Sequence, residues 1–187
     1  MSTNFRELPM PNVTRITNLN QAHATLLHCC NKLARFAQQC QASGSSGAAD
    51  GQVTEERRQF QQWLERWEQA FTEFLASAMV SMGSEDLTQC RVLKANHLAC
   101  NVVASGAGPG TSGSDASGPE FQAITDLAGA VLQTRRGTGS PQSAVSSPSV
   151  SPVISGLDVQ DPLYIVLAHC STQALRTLAN ELLLRFY

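Results

Sequence analysis

Charge is scarce in this chain. Of 187 residues, thirteen are Lys or Arg and fifteen Asp or Glu, which leaves a net charge of −2. Holding nucleic acid by its phosphates needs clustered cations, whereas here the basic residues stand singly or as the pairs Arg57–Arg58 and Arg135–Arg136. Specific DNA binding by this chain alone is therefore not expected. Long hydrophobic runs are missing too. The longest, "LYIVLA" at 163–168, falls far short of the roughly 20 residues of a membrane-spanning helix, so no membrane association is expected. The opening "MSTNFRELPMPNVTRITN" has no apolar centre of the kind a secretory signal carries. An intracellular setting with reduced thiols is the corresponding expectation.

The six cysteines, at 29, 30, 40, 90, 100 and 170, contain no C-x-x-C pair. Structural zinc sites fold around such short-range pairs. His97 and Cys100 share a helix face at i, i+3, but no second pair accompanies them, so neither a metal nor a cofactor site is assigned. His169–Cys170 could suggest a reactive pair. A cysteine nucleophile, however, wants a base and an electropositive helix N-terminus, and Cys170 sits at the C-terminal end of an apolar segment, where the helix dipole disfavours a thiolate. "GAGPG" at 106–110 has no preceding strand and no following Lys-Ser/Thr, so it is not a phosphate loop. No nucleophile, base and orienting group come together as a set, and no catalytic residue is assigned.

Apolar residues, in contrast, are plentiful at 42%, and their spacing is helical. Residues 18–41 repeat Ala22, Leu26, Cys29, Cys30, Leu33, Phe36, Ala37 and Cys40 at steps of three and four behind an Asn-rich start suited to capping. Residues 54–82 carry one stripe of Phe60, Trp63, Leu64, Trp67, Phe71, Phe74, Leu75, Ala78, Met79 and Met82. In that segment Thr54 is the expected cap and Gly83 the expected stop. Ser84 is expected to cap a helix to about 104 whose apolar positions go most of the way round, which predicts a central place. Residues 119–136 open on Pro119 and end on Arg135, Arg136 and Gly137. Asp161–Pro162 opens a segment to about Cys170, and Ser171 or Thr172 recaps a last helix striped by Leu175, Leu178, Leu182, Leu183 and Phe186.

No segment alternates with period two. The fold class is all-α, with about five to six helices. Gly/Ser/Pro-rich stretches at 43–51, 104–119 and 137–156 read as flexible linkers, and residues 1–17 as a flexible N-terminus, around a helical domain spanning 18–187.

Two stretches in this order resemble fungal binuclear zinc-cluster (six-cysteine) transcription factors in their middle, regulatory region. The first is "FQQWLERWEQAFTEFLASAMVSMGSEDLTQCRVLKANHLACNVV", with Phe60, Trp63, Ala70 and Phe71 in F-x-x-W-x6-A-F and Leu93–Lys94 in the next helix. The second is "GLDVQDPLYIVLAHCSTQALRTLANELL", with Gly156, Pro162, Leu163, Tyr164, Cys170, Arg176, Ala179, Leu182 and Leu183. Together with "ITNLNQAHATLLHCCNKLARF", the resemblance covers about residues 15–187. It implies a nuclear, transcription-related regulatory role through protein contacts or a small effector, with control of secondary metabolism among the roles it suggests. The family's zinc cluster has no counterpart in these residues, so no DNA-contacting residue carries over. The alternative is a free-standing helical interaction protein that lacks DNA binding and modulates full-length relatives by pairing with them. Family members continue beyond the last helix. The end "ANELLLRFY" is therefore expected to expose a broad apolar band, and Leu182, Leu183, Leu184, Phe186 and Tyr187 form the candidate surface for self-association or a protein partner.

Overall fold

The computed structural model describes residues 10–42, 50–106, 118–137 and 156–187. Within them lie six α-helices and no strand: α1 (Leu19–Ala42), α2 (Asp50–Ala78), α3 (Ser84–Ala104), α4 (Gly118–Gly137), α5 (Gln160–His169) and α6 (Gln173–Phe186). The fold is all-α. Most of each expected linker, at 43–49, 107–117 and 138–155, lies outside the described residues.

α3 organises the rest because it carries two apolar stripes. Cys90, Leu93, Cys100 and Ala104 face one core with α1, α2 and the segment before α1. Val92, Ala95, Ala99 and Val102 face a second core with α4, α5 and α6. Each set steps by three, four or seven residues, so the two lie on opposite sides of one helix. The small Ala95 and Ala99 let α4 come close, and α4 answers with Phe121, Ile124, Ala128 and Val131 at the same period.

α1 begins as its sequence suggests. The Asn18 side chain accepts the Gln21 amide at 2.8 Å, and Gln21 in turn accepts the Thr17 amide at 2.9 Å, satisfying two donors at the helix start. Residues 10–17 depart from the expected flexible N-terminus. Val13 and Ile16 are buried in the first core, and the Trp63 indole donates to the Pro11 carbonyl at 2.8 Å. Two apolar anchors and an indole bond are enough to hold this short segment.

α2 starts at Asp50, ahead of the expected cap Thr54, because Val53 packs against the first core and draws the preceding turn into the helix. Its stripe of Phe60, Trp63, Leu64, Trp67, Ala70 and Phe71 is buried. At about 1.5 Å per residue the helix runs about 43 Å. It ends before Met79, in a 3₁₀ turn over Met79–Ser81 that leaves Val80 96% exposed, so Met79 does not extend the core stripe. Gly83 does not close α2. It is the extended residue that caps α3, and the Asp86 carboxylate accepts its amide at 3.4 Å, which makes Ser84 the first helical residue rather than the cap. α3 closes on Gly106, whose φ of +74° suits glycine, and a Cβ there would run into the Arg57 guanidinium. Pro162 falls in the first turn of α5, where its missing N–H removes no helical bond.

Candidate interaction surface and polar hub

α6 lies against α4 and α5, and this sorts the expected surface residues. Leu183 is buried in the second core, and Leu182 and Phe186 are half-buried against it. Leu184 is 77% exposed, and Tyr187 is about half exposed. The broad apolar band inferred for "ANELLLRFY" is therefore largely covered by the chain's own α4 and α5, and only its outer edge faces solvent. Two further apolar side chains of these helices are exposed: Tyr164 on α5, at 52%, and Leu178 on α6, which six residues from Leu184 points about 120° away from it. Among the described residues, four of the six exposed large apolar side chains belong to α5, α6 and Tyr187; the other two are Met79 and Val80. Helical spacing assigned Leu178 to the core, and a wheel drawn for α6 alone does not show that its stripe is wider than the groove it enters.

Beside Tyr187 lies a polar hub at Leu157–Val159, where the chain enters α5. The Asp158 carboxylate accepts from Arg135 at the end of α4 (2.9 Å), from the Val159 amide (2.8 Å) and from the Tyr187 hydroxyl (2.8 Å). Its carbonyl accepts the buried Asn96 amide of α3 at 2.9 Å. The Leu157 amide donates to His23 Nε2 on α1 at 3.2 Å. Four helices or their ends thus fix one short segment. Burial pushes the Asp158 carboxyl up, but the hydrogen bonds from Arg135, the Val159 amide and Tyr187 outweigh it and hold it below the usual carboxylate range. Burial and the bond to Asp158 push the Tyr187 phenol up to about 12.

Replacing Asp158 with asparagine should cost about 1 kcal/mol at neutral pH, below the about 1.5–3 kcal/mol of charge-assisted bonds because solvent screens this partly exposed site. Because the folded carboxyl titrates below its unfolded value, its contribution is present above about pH 4 and is lost as the pH falls through the lower folded value. Urea unfolding in this acid range checks both points: the variant should lose part of the native chain's acid sensitivity, and equal slopes would mean that the carboxylate is not held by the hub.

The step His169–Cys170 closes α5. Cys170 is buried at the C-terminal end of α5, its amide bonded to the Val166 carbonyl and its sulfur 3.9 Å from the Thr172 carbonyl. His97 and Cys100 look to different partners. His97 Nε2 lies 2.9 Å from the Leu64 carbonyl, and Cys100 Sγ lies 2.9 Å from Cys30 Sγ. Burial lowers the His97 pKa, which makes Nε2 the donor of a neutral ring. All six cysteines and four histidines are among the described residues, and there no three His, Cys, Asp or Glu side chains gather into a set that could hold a metal ion. Protein purified without chelator is expected to hold no stoichiometric zinc by elemental analysis; one tightly bound zinc per chain would contradict that reading.

The aromatic stripe is core rather than the lining of a closed ligand site, although Trp63 also borders an open groove of about 590 Å³ with Pro11, Val13, Lys32 and Arg66. Among the described residues no helix is long and apolar enough to cross a membrane. Comparison with family models, curated proteins and solved structures finds no match to this chain.

Proposed function

We propose that this chain is a regulatory domain in transcription that works through protein contacts, with its α5–α6 face as the contact surface and DNA reading left to another module. The observation that carries the proposal concerns the residues on which the family resemblance rests. Trp63, Ala70, Phe71, Leu163, Cys170, Ala179 and Leu183 are core positions of the two clusters, where packing alone accounts for them. Tyr164 belongs to the same P-L-Y motif, yet it is half exposed beside the buried Leu163. An exposed motif aromatic on α5, with Leu184 exposed on the next helix, supports a role in contact. Catalysis and metal chemistry play no part in this reading.

The test tethers the chain to an unrelated DNA-binding domain in front of a reporter. A severalfold change in transcription is expected, and Tyr164→Glu with Leu184→Glu should abolish it while the helical circular dichroism persists. A tethered chain that leaves transcription unchanged, or a double variant that keeps full effect, would overturn the proposal. Light scattering of the same pair separates self-association from a foreign partner. Phe186 is left intact in this design because it packs against the second core and its loss would damage the fold.

A further inference from the structure

Cysteines from two helices meet inside the first core. Cys29 and Cys30 lie midway along α1 and Cys100 lies near the C-terminal end of α3, and all are free thiols. Cys29 and Cys100 are buried, whereas Cys30 is only half-buried and gives the group its opening to solvent. Cys30 Sγ and Cys100 Sγ stand 2.9 Å apart. A disulfide needs about 2.05 Å, so less than about 1 Å of approach would join them, and the helices that carry them are already packed together. Cys40, Cys90 and Cys170 have no such sulfur neighbour among the contacts of the described residues; Cys90 faces the Met82 thioether at 3.8 Å and Cys170 a carbonyl.

We propose that Cys30 and Cys100 are an oxidative modification site, at which a peroxide closes an intramolecular disulfide that staples α1 to α3. In the first step the Cys30 sulfur, having released its proton to solvent, attacks one peroxide oxygen. The O–O bond breaks, water leaves, and Cys30 becomes a sulfenic acid. In the second step Cys100 Sγ attacks that sulfur, the S–O bond breaks, and the departing hydroxide leaves as water with the Cys100 proton. Two thiols lose two electrons, and one peroxide is reduced to two waters. The hydrogen bond to Cys100 and burial push the Cys30 thiol well above its ordinary value. The thiolate is therefore scarce, and the site responds to sustained oxidant rather than to a trace of it.

The test treats the reduced, folded full chain with hydrogen peroxide, blocks remaining thiols with N-ethylmaleimide in denaturant, and reads intact mass and fragmentation spectra. The expected product has lost two hydrogens, keeps four blockable thiols and links Cys30 to Cys100. Cys29→Ala should still form the link, and Cys30→Ala should not. Closing a loop across 70 positions should also raise the melting temperature by about 5–10 °C, reversed by a thiol reductant. A link through Cys29, a link that survives Cys30→Ala, or a Cys30 that stays blockable or passes to sulfinic acid would each overturn the proposal. Should Cys30→Ala fail to fold, the fragmentation spectrum of the unaltered chain still decides which sulfurs joined. The same treatment in denaturant, where the sulfurs are not held together, should give mixed pairings that include Cys40, Cys90 and Cys170.

Discussion

Replacing Trp67 with alanine should cost about 3–5 kcal/mol of folding stability, the range for deleting a fully buried large aromatic. Trp67 is 0% exposed. Its ring stacks on Phe71 at 4.7 Å and on His97 at 5.2 Å, so it joins two turns of α2 to the middle of α3. Its indole N–H reaches α1, with the Thr25 hydroxyl at 3.1 Å and the Ala22 carbonyl at 3.3 Å. One side chain therefore closes the three-helix core on all sides. Alanine would leave a cavity that the rigid flanks of three helices cannot collapse to fill, and the Thr25 hydroxyl would keep only its bonds to the α1 carbonyls of Gln21 and Ala22. Against a usual total of about 5–15 kcal/mol, such a loss brings the domain near its unfolding limit. Trp63→Ala belongs to the same range but to its lower part, since Trp63 keeps an edge in solvent and holds only the Pro11 segment by its N–H. Urea unfolding followed by circular dichroism measures both. A Trp67→Ala loss below about 1 kcal/mol would mean that the aromatic stripe is not core.

That stripe was legible because periodicity reports one helix at a time. The same reasoning put α3 at the centre, since apolar residues on two sides need two neighbours. It failed where the deciding contact is remote. Nothing in "GLDV" announces that Asp158 will meet Asn96, which is 62 positions away, or that the Leu157 amide will meet His23, which is 134 away. The start of α2 shifted for a related reason: Gly51 argues against helix locally, and the packing of Val53 overrides it. The candidate surface was half legible. Leu184 and Tyr187 could be named from the last turn, but which of Leu182, Leu183 and Phe186 the neighbouring helices cover depends on the crossing of α4 with α6. Tyr164 could be named as a motif position, but its place in the apolar run "LYIVLA" gave no sign that it would be half exposed. Vicinal Cys29 and Cys30 point to different azimuths on α1, and only the approach of α3 makes Cys100 a neighbour of both.

Acidification from about pH 7 to about pH 5 should weaken the folded state by up to about 2 kcal/mol through His97. The ring is 1% exposed and lies against Trp67. Its Nε2–H donates to the Leu64 carbonyl, and Nδ1 is buried with no hydrogen-bond partner. Taking a proton on Nδ1 would place a cation in an apolar core with nothing to receive the new N–H. Burial accordingly lowers the pKa of His97 and nearby Lys94 adds to the effect, while the Leu64 carbonyl and Glu68 oppose it. The unfolded chain binds that proton at the ordinary value, about 6.5. Stability is thus complete above about pH 6.5 and falls as the pH drops toward the lower folded value, with a slope of at most about 1.4 kcal/mol per pH unit. His97→Gln keeps an N–H for Leu64 but cannot take the proton. At neutral pH it should be less stable, having lost the stack on Trp67, yet its urea midpoint should depend less on acid. A smaller slope should remain from His23, whose pKa burial also lowers and whose Nε2 must stay unprotonated to accept the Leu157 amide. Equal acid slopes in the native chain and His97→Gln would show that the ring takes up protons freely, and that the contact joining α2 to α3 at Leu64 opens far more readily than its burial implies.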